Sequence, residues 1–254
     1  MHTMPHDDDQ RRIAALEAEL AAVRAEMQDF TYTVSHDLRA PLRHILSYVK
    51  LVEEDAGHLL PDEAHGFLSV ISDSALHMGQ LMDGLLEMSR LGAAPLHTAT
   101  VPLQPLVQSV ADALTAEHPQ RSVAWQISPH LPAVLADEVL LRKALGCVLH
   151  NAVKFTARRD TAHIVVSVEG DGLRGGSCVV LRVQDDGAGF NPAMQARLFK
   201  PFQRLHTSKQ FPGIGMGLAM TRKIAERLGG AVAIEGVVDG GCTVCLSLPA
   251  APPA

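Results

Sequence analysis

The stretch QRRIAALEAELAAVRAEMQDFTYTV, residues 10–34, places apolar groups at Ile13, Leu16, Leu20, Val23, Met27, Phe30 and Val34, in strictly alternating three- and four-residue steps. That spacing keeps one narrow seam along one side of a helix, the pattern of a coiled coil. A lone amphipathic helix packed on a globular body would carry a wider apolar stripe, whereas the positions between these are mostly Ala, Glu, Arg and Gln. The pattern predicts a self-associating linker helix over 10–34, preceded by a disordered tail over 1–9. It continues at Leu38, Leu42, Ile45, Val49 and Val52, with four-residue steps in succession where the two frames join. Such a stutter locally unwinds a supercoil. Pro41 beside it removes a backbone donor, so a bend is expected here. His36 and Asp37 lie in this soft stretch.

Residues 55–62, with Gly57 and Pro61, break the helix, and a second seam runs through Phe67, Ile71, Ser74, Met78, Leu81, Leu85 and Met88. Two such helices over 35–91 make an antiparallel hairpin. One hairpin cannot cover both seams, so two of them dimerising into a four-helix bundle is the expected arrangement, a homodimer. Residues 92–105 hold three prolines and little charge and read as a linker. Over 106–249 the pattern gives helices near 106–114, 137–155 and 218–228, and strands near 123–127, 163–168, 178–183, 231–235 and 243–248. Helices and strands mix without a regular βαβ rhythm, which predicts an α+β sandwich with helices on one face of a mixed sheet. Residues 250–254 read as a tail.

Composition bounds the function. The chain has 254 residues, 47% hydrophobic and 20% charged, about two domains at roughly 150 residues each. No apolar run approaches the roughly 18 residues of a membrane span. The acidic start MHTMPHDDDQ resembles neither a secretory signal nor a transit peptide, so the cytoplasm is the expected location. Net charge is −10 over residues 1–150 and +4 over 151–254, so the second half is the better host for an anion. An overall net charge of −6 with 4% aromatics argues against nucleic acid as the main partner. Four cysteines in a chain of this length do not suggest a disulfide framework.

The second half carries two glycine clusters, DDGAGF at 185–190 and PGIGMGLA at 212–219. The second runs into a helix whose free N–H groups would face an anion, so the pair reads either as a phosphate cradle or as two surface turns. Neither cluster fits a P-loop, lacking GK[ST], or a dinucleotide fingerprint. Asn151 and Lys154 in LHNAVKFT, 149–156, sit on neighbouring faces of one helix and suit a hard cation and a phosphate, or plain solvent.

Taken in order, the motifs TVSHDLRAPLR, LHNAVKFT, VQDDGAGF, LFKPFQRL, PGIGMGLA and GGCT resemble the H, N, G1, F and G2 boxes and the last glycine pair of sensor histidine kinases of two-component signalling. The likeness covers residues 10–250, and SHDLRAPLR and FQRLH are similar to kinases attached to bacterial phytochromes. The resemblance implies a dimerisation and phosphoacceptor domain followed by a catalytic ATP-binding domain, with ATP and Mg²⁺ as cofactors. His36 would be the phosphoacceptor, and Asp37 would take its other ring proton. Asp185 would accept from the adenine amine, with Gly187 and Gly189 allowing close approach. Asn151 would be the Mg²⁺ ligand, Lys154 would offset phosphate charge, and Phe155 would pack on the base. Gly213, Gly215 and Gly217 would bring backbone donors to the phosphates at the start of the helix that continues with Leu218. Phe199 and Phe202 would anchor a lid over 203–211 whose Arg204, His206 and Lys209 reach for the triphosphate. Thr243, after the last glycine pair, completes the implied nucleotide set.

Two departures stand out. Cys147 takes the place of a second Asn one turn before Asn151 and cannot help hold the metal shell, which predicts slower turnover. Ala40, four residues after His36, replaces the Thr or Asn that positions water, which predicts weak phosphatase activity. Cys242 and Cys245 have CxxC spacing, but residues three apart on a strand face opposite sides, so no metal role is expected for them. The expected activity is ATP:protein-histidine phosphotransfer with delivery to the aspartate of a response regulator receiver domain. The alternatives are an ATP-binding pseudokinase scaffold or an ATP-driven machine of the gyrase and mismatch-repair type. No sensor domain precedes the coiled coil, so input is expected from a longer chain or from a sensory partner.

Overall fold

The computed structural model describes residues 5–92, 95–169, 177–207 and 210–252. It divides into two units, Met1–Ala94 and Pro95–Ala254.

The first unit is a hairpin of α1 (Pro5–Ala56) and α2 (Asp62–Leu91), joined by a 3₁₀ turn at Gly57–Leu59. Contacts run in opposite directions along the two helices. Gln28 Nε2 donates to the Ser89 carbonyl at 3.3 Å, Arg39 meets Asp83 at 2.7 Å, and at the turn His65 Nε2 is 3.1 Å from the Gly57 carbonyl. The pair is therefore antiparallel. Asp62 and Glu63 open α2 and complement its dipole. Leu42 and Val49, one heptad apart, are buried on α1, as are Ala75 and Leu86 on α2. The second seam points elsewhere: Phe67, Ile71, Met78 and Leu85 remain exposed, as do Ile13, Leu16, Leu20 and Met27 of the first. α1 stays helical through Pro41, where a bend was expected, and residues 5–9, read as a tail, form its first turn. One missing backbone donor is outweighed by the packing of Leu42 on the adjoining turn.

The second unit contains β1 (Ala99–Pro102), α3 (Leu103–Glu117), β2 (Ser122–Ile127), β3 (Ala133–Ala136), α4 (Glu138–Phe155), β4 (Thr161–Glu169), β5 (Cys178–Asp185), a 3₁₀ turn at Pro192–Arg197, α5 (Gly217–Arg227), β6 (Ala231–Gly236) and β7 (Cys242–Pro249). Five strands form a sheet in the order β2-β4-β5-β7-β6, with β2 parallel to β4 and the other neighbours antiparallel. Alternation decides its two faces. Ala162, Ile164, Val166, Val179, Leu181, Val183, Leu246 and Leu248 point into the core, and the residues between them do not. The core is completed by the apolar faces of the helices: Leu106, Val107 and Leu114 of α3, Leu141, Leu145 and Leu149 of α4, and Ile224 of α5. This is the expected α+β sandwich.

The linker reading over 92–105 is corrected: 99–102 is β1, paired antiparallel with β3, and α3 already begins at Leu103. Pro102 is the N-cap and Pro105 lies in the first turn, where a missing N–H costs nothing. The tail over 250–254 is corrected in part. Ala250 N–H donates to the Ser177 carbonyl at 3.1 Å and Ala251 N–H to Ala133 at 3.2 Å, while residues 253 and 254 lie outside the described residues.

Candidate nucleotide site and phosphoacceptor

α4 is the floor of the site. Its N-cap is Asp137, whose carboxylate accepts from the Leu140 amide at 3.1 Å and the His97 amide at 3.0 Å. Burial alone would raise that carboxyl, but the amides of His97, Leu140 and Val139 together hold it below its ordinary value. From this fixed start, Lys143, Cys147 and Asn151 follow at four-residue steps, with Lys154 and Phe155 three and four residues further on, and all line a cavity of about 580 Å³.

The opposite wall is the sheet. Asp185, the last residue of β5, is buried. Its carboxylate accepts from the Gly187 amide at 2.9 Å. Burial pushes its pKa up to about 6, against the amides of Gly187 and Cys242 and with a further push from Asp186. A Cβ on Gly187 would lie 2.7 Å from that carboxylate and 2.8 Å from the Phe155 carbonyl, so only glycine fits between them. Gly215 has φ +76° and would drive a Cβ to 2.5 Å from the Gln203 carbonyl. The loop therefore stays bare where it enters α5 at Gly217, and this helix start, whose first amides have no partner within the helix, lines the cavity.

The rings of Phe155, His206 and Phe211 line the cavity together. Phe155 lies 5.0 Å from Phe211 and 5.6 Å from His206, and His206 Nε2 is 3.0 Å from the Gly189 carbonyl. Lys154 sits 4.4 Å from the Phe155 ring. Burial lowers its pKa, and nearby Arg204 lowers it further. Arg204 itself donates to the Phe211 carbonyl at 2.8 Å.

Asn151, Lys154, Phe155, Asp185, Gly189, Arg204, Gly213, Gly215, Gly217 and Leu218 all line the cavity. Gly187 supports Asp185 from behind. Besides Gly187, three expected residues do not line it. Phe199 lies 5.8 Å under the Arg222 guanidinium and Phe202 turns outward at φ 62°; Phe190, Leu198 and Phe211 take their place. Thr243 is corrected to Cys242, because a one-residue step along β7 reverses the face and Cys242 and Val244 are the ones that look in. Cys245 has the opposite parity, and among the described residues no His, Cys, Asp or Glu cluster could hold a metal. His206 stands between Phe155 and Phe211, and Lys209 lies outside the described residues. The residues missed, Lys143, Cys242 and Phe211, were signalled only by helical phase, strand parity and lid closure respectively.

Mg²⁺ fits the donor set in one way. It takes oxygen ligands, keeps several waters and is shared with phosphates, and the Asn151 amide faces the space beside Gly217, where a Cβ would come within 3.5 Å of it. Cys147 offers a thiol that burial pushes up and that is no ligand for so hard a cation.

In the hairpin unit, His36 has a side chain 69% exposed, with Nδ1 3.2 Å from the Asp37 carboxylate and its ring 6.3 Å from that of Tyr32. Nδ1–H donated to Asp37 leaves the Nε2 lone pair facing solvent.

Residues 26–94 match the family model of the His Kinase A (phospho-acceptor) domain, and residues 136–252 match that of the histidine kinase-, DNA gyrase B-, and HSP90-like ATPase. The chain is a histidine kinase transmitter module. It is 29% identical over 237 residues to the phytochrome-like protein Cph1 of Synechocystis sp., covering 93% of this chain and 31% of that protein. It is 32% identical over 236 residues to the circadian input-output histidine kinase CikA of Synechococcus elongatus, covering 90% and 30%. The module thus spans about a third of the length of these curated relatives. The solved structure of full-length ShkA in complex with AMPPNP is 31% identical, with a TM-score of 0.62, over 89% of this chain and 46% of that one. No helix among the described residues is long and apolar enough to cross a membrane.

Proposed function

We propose that the transmitter transfers the γ-phosphoryl group of Mg·ATP to Nε2 of His36 and passes it to an aspartate of a response regulator. The single observation that supports this best is the buried carboxylate of Asp185, raised to about 6 and facing a cavity whose far side is lined by Lys154, Asn151 and the start of α5. Such a site offers an acceptor for an amine at one end and neutralises phosphates at the other. When bound, Mg²⁺ would offset charge on the triphosphate. In the transfer, the Nε2 lone pair forms the new N–P bond as the bond to the β-phosphate oxygen breaks. The Nδ1 proton stays with the pair His36–Asp37 and the leaving group is ADP. Positioning and charge neutralisation are the main requirements of this chemistry, and the inventory meets both.

Homodimerisation belongs to the same reading. Ile13 and Leu16 are each 56% exposed and Phe30 is 64% exposed in the single chain, an apolar seam of the kind a second copy covers. A reaction that consumes ATP places the module in the cytoplasm, with its stimulus supplied by a sensor domain in a longer chain or by a partner. Ala40, where water would need positioning, goes with weak phosphatase activity. Cys147 supports a second reading, an ATP-binding scaffold with little transfer, since it supplies no oxygen beside Asn151.

Incubation with γ-labelled ATP decides between them. Acid-labile label on wild type that disappears in His36→Gln is expected. ATP binding with no label supports the scaffold, and label that survives His36→Gln contradicts the phosphotransfer assignment.

A further inference from the structure

Asp185 ends β5, and the loop that follows must hold its carboxylate at one angle for an amine to be recognised. That loop, 186–190, is tied down at several points. Ala188 N–H donates to the Phe155 carbonyl at 3.1 Å, and Asp239 N–H in the β6–β7 turn donates to the Ala188 carbonyl at 2.8 Å. Arg159 joins all three segments. It lies in the turn just past α4, fixed by its own amide on the Thr156 carbonyl at 2.9 Å. Its Nε donates to the Asp186 carbonyl at 2.7 Å and a terminal nitrogen to the Asp239 carbonyl at 2.9 Å. Asp239 adopts φ 58°, a conformation Asp tolerates, while it holds both of these contacts. The Asp186 carboxylate is occupied from the other side, by the His163 amide at 3.1 Å and His163 Nδ1 at 3.0 Å.

Arg159 therefore does not line the cavity, yet its planar fork spans the residue after Asp185 and the turn leading into Cys242, whose amide Asp185 accepts. A guanidinium can serve two carbonyls at once; an ammonium is a point donor. We infer that Arg159 is a positioning residue for the base contact, setting from behind the direction in which Asp185 meets the 6-amino group of an adenine nucleotide. The inference rests on the nucleotide reading above and goes beyond it in naming what fixes base selectivity.

The test compares ADP with purine riboside diphosphate, which lacks the 6-amino group and undergoes no turnover, by calorimetry on the full chain. Wild type is expected to prefer ADP. Arg159→Ala should cut that preference about five- to tenfold, through weaker ADP binding, consistent with the loss of charge-assisted hydrogen bonds. Arg159→Lys should fall between the two. Thermal unfolding is followed in parallel, and if Arg159→Ala does not fold, Arg159→Lys is read on the same ratio. A ratio equal to wild type, whether both affinities are unchanged or both fall by one factor, overturns the positioning role and leaves the nucleotide reading standing. A wild type that binds neither nucleotide, or binds both equally, overturns the two together.

Discussion

In the hairpin the proposed phosphoacceptor, His36, stands in solvent, and its contacts with Tyr32 and Asp37 lie within two turns of α1. In the sandwich the decisive carboxylate is buried, and its surroundings come from α4, β5, β7, the lid and the turn before β7. The first kind of site depends on helical phase alone. The second exists only once four stretches separate in the chain have packed, β7 counting with the turn before it, so its properties belong to the fold rather than to any motif.

Substitutions can break this contrast. His36→Gln should abolish acid-labile label while leaving ATP affinity at the wild-type value, because nothing in the nucleotide unit depends on that ring. Calorimetry beside the labelling assay checks both halves, and a loss of ATP affinity would tie the two regions together. Asp185→Asn keeps the shape but presents a donor edge to the adenine amine, and ATP binding should weaken about ten- to a hundredfold. Circular dichroism should be unchanged. Leu149→Ala, in the centre of α4, should destabilise the sandwich by about 2–5 kcal/mol, read from denaturant midpoints.

The pH dependence sharpens the contrast further. With Asp185 at about 6, ATP affinity should be flat near pH 7.5 and fall as pH drops through 6, where the carboxyl takes a proton and loses its charge. Stability of the empty unit runs the other way. The folded carboxyl holds its proton above the ordinary value of 3.8, so the fold binds more protons than the unfolded chain between about 4 and 6 and loses stability as pH rises through that window. Asp185→Asn should flatten both profiles. Smaller still, Ala40→Thr should raise dephosphorylation of a receiver domain. Arg39→Ala, which removes an exposed pair with Asp83, should cost under about 1 kcal/mol.

The same contrast explains what was legible in the amino acids alone. The two long helices, the turn at Gly57 and Pro61, and the helix read over 137–155 all follow from local periodicity and its breaks, and the structure has them. The mixed sheet follows from runs of alternating residues. β1 and β3 are four residues each, too short to show a period, and two prolines hid the start of α3. Within the site, residues on α4 and in the glycine clusters were recoverable, because helix phase and absent side chains are visible in a string of letters. Cys242 rather than Thr243 faces the cavity through strand parity, which depends on where β7 begins, and Phe211 comes beside Phe155 only through the tertiary fold.

The most direct test is to digest the chain after reaction with Mg·ATP under alkaline conditions and locate the phosphoryl group by mass spectrometry and phosphorus NMR. The account predicts a single phosphohistidine at His36, bonded through Nε2 because Nδ1 is engaged by Asp37. A phosphoryl group on another residue, or none on a protein that binds ATP normally, would contradict it.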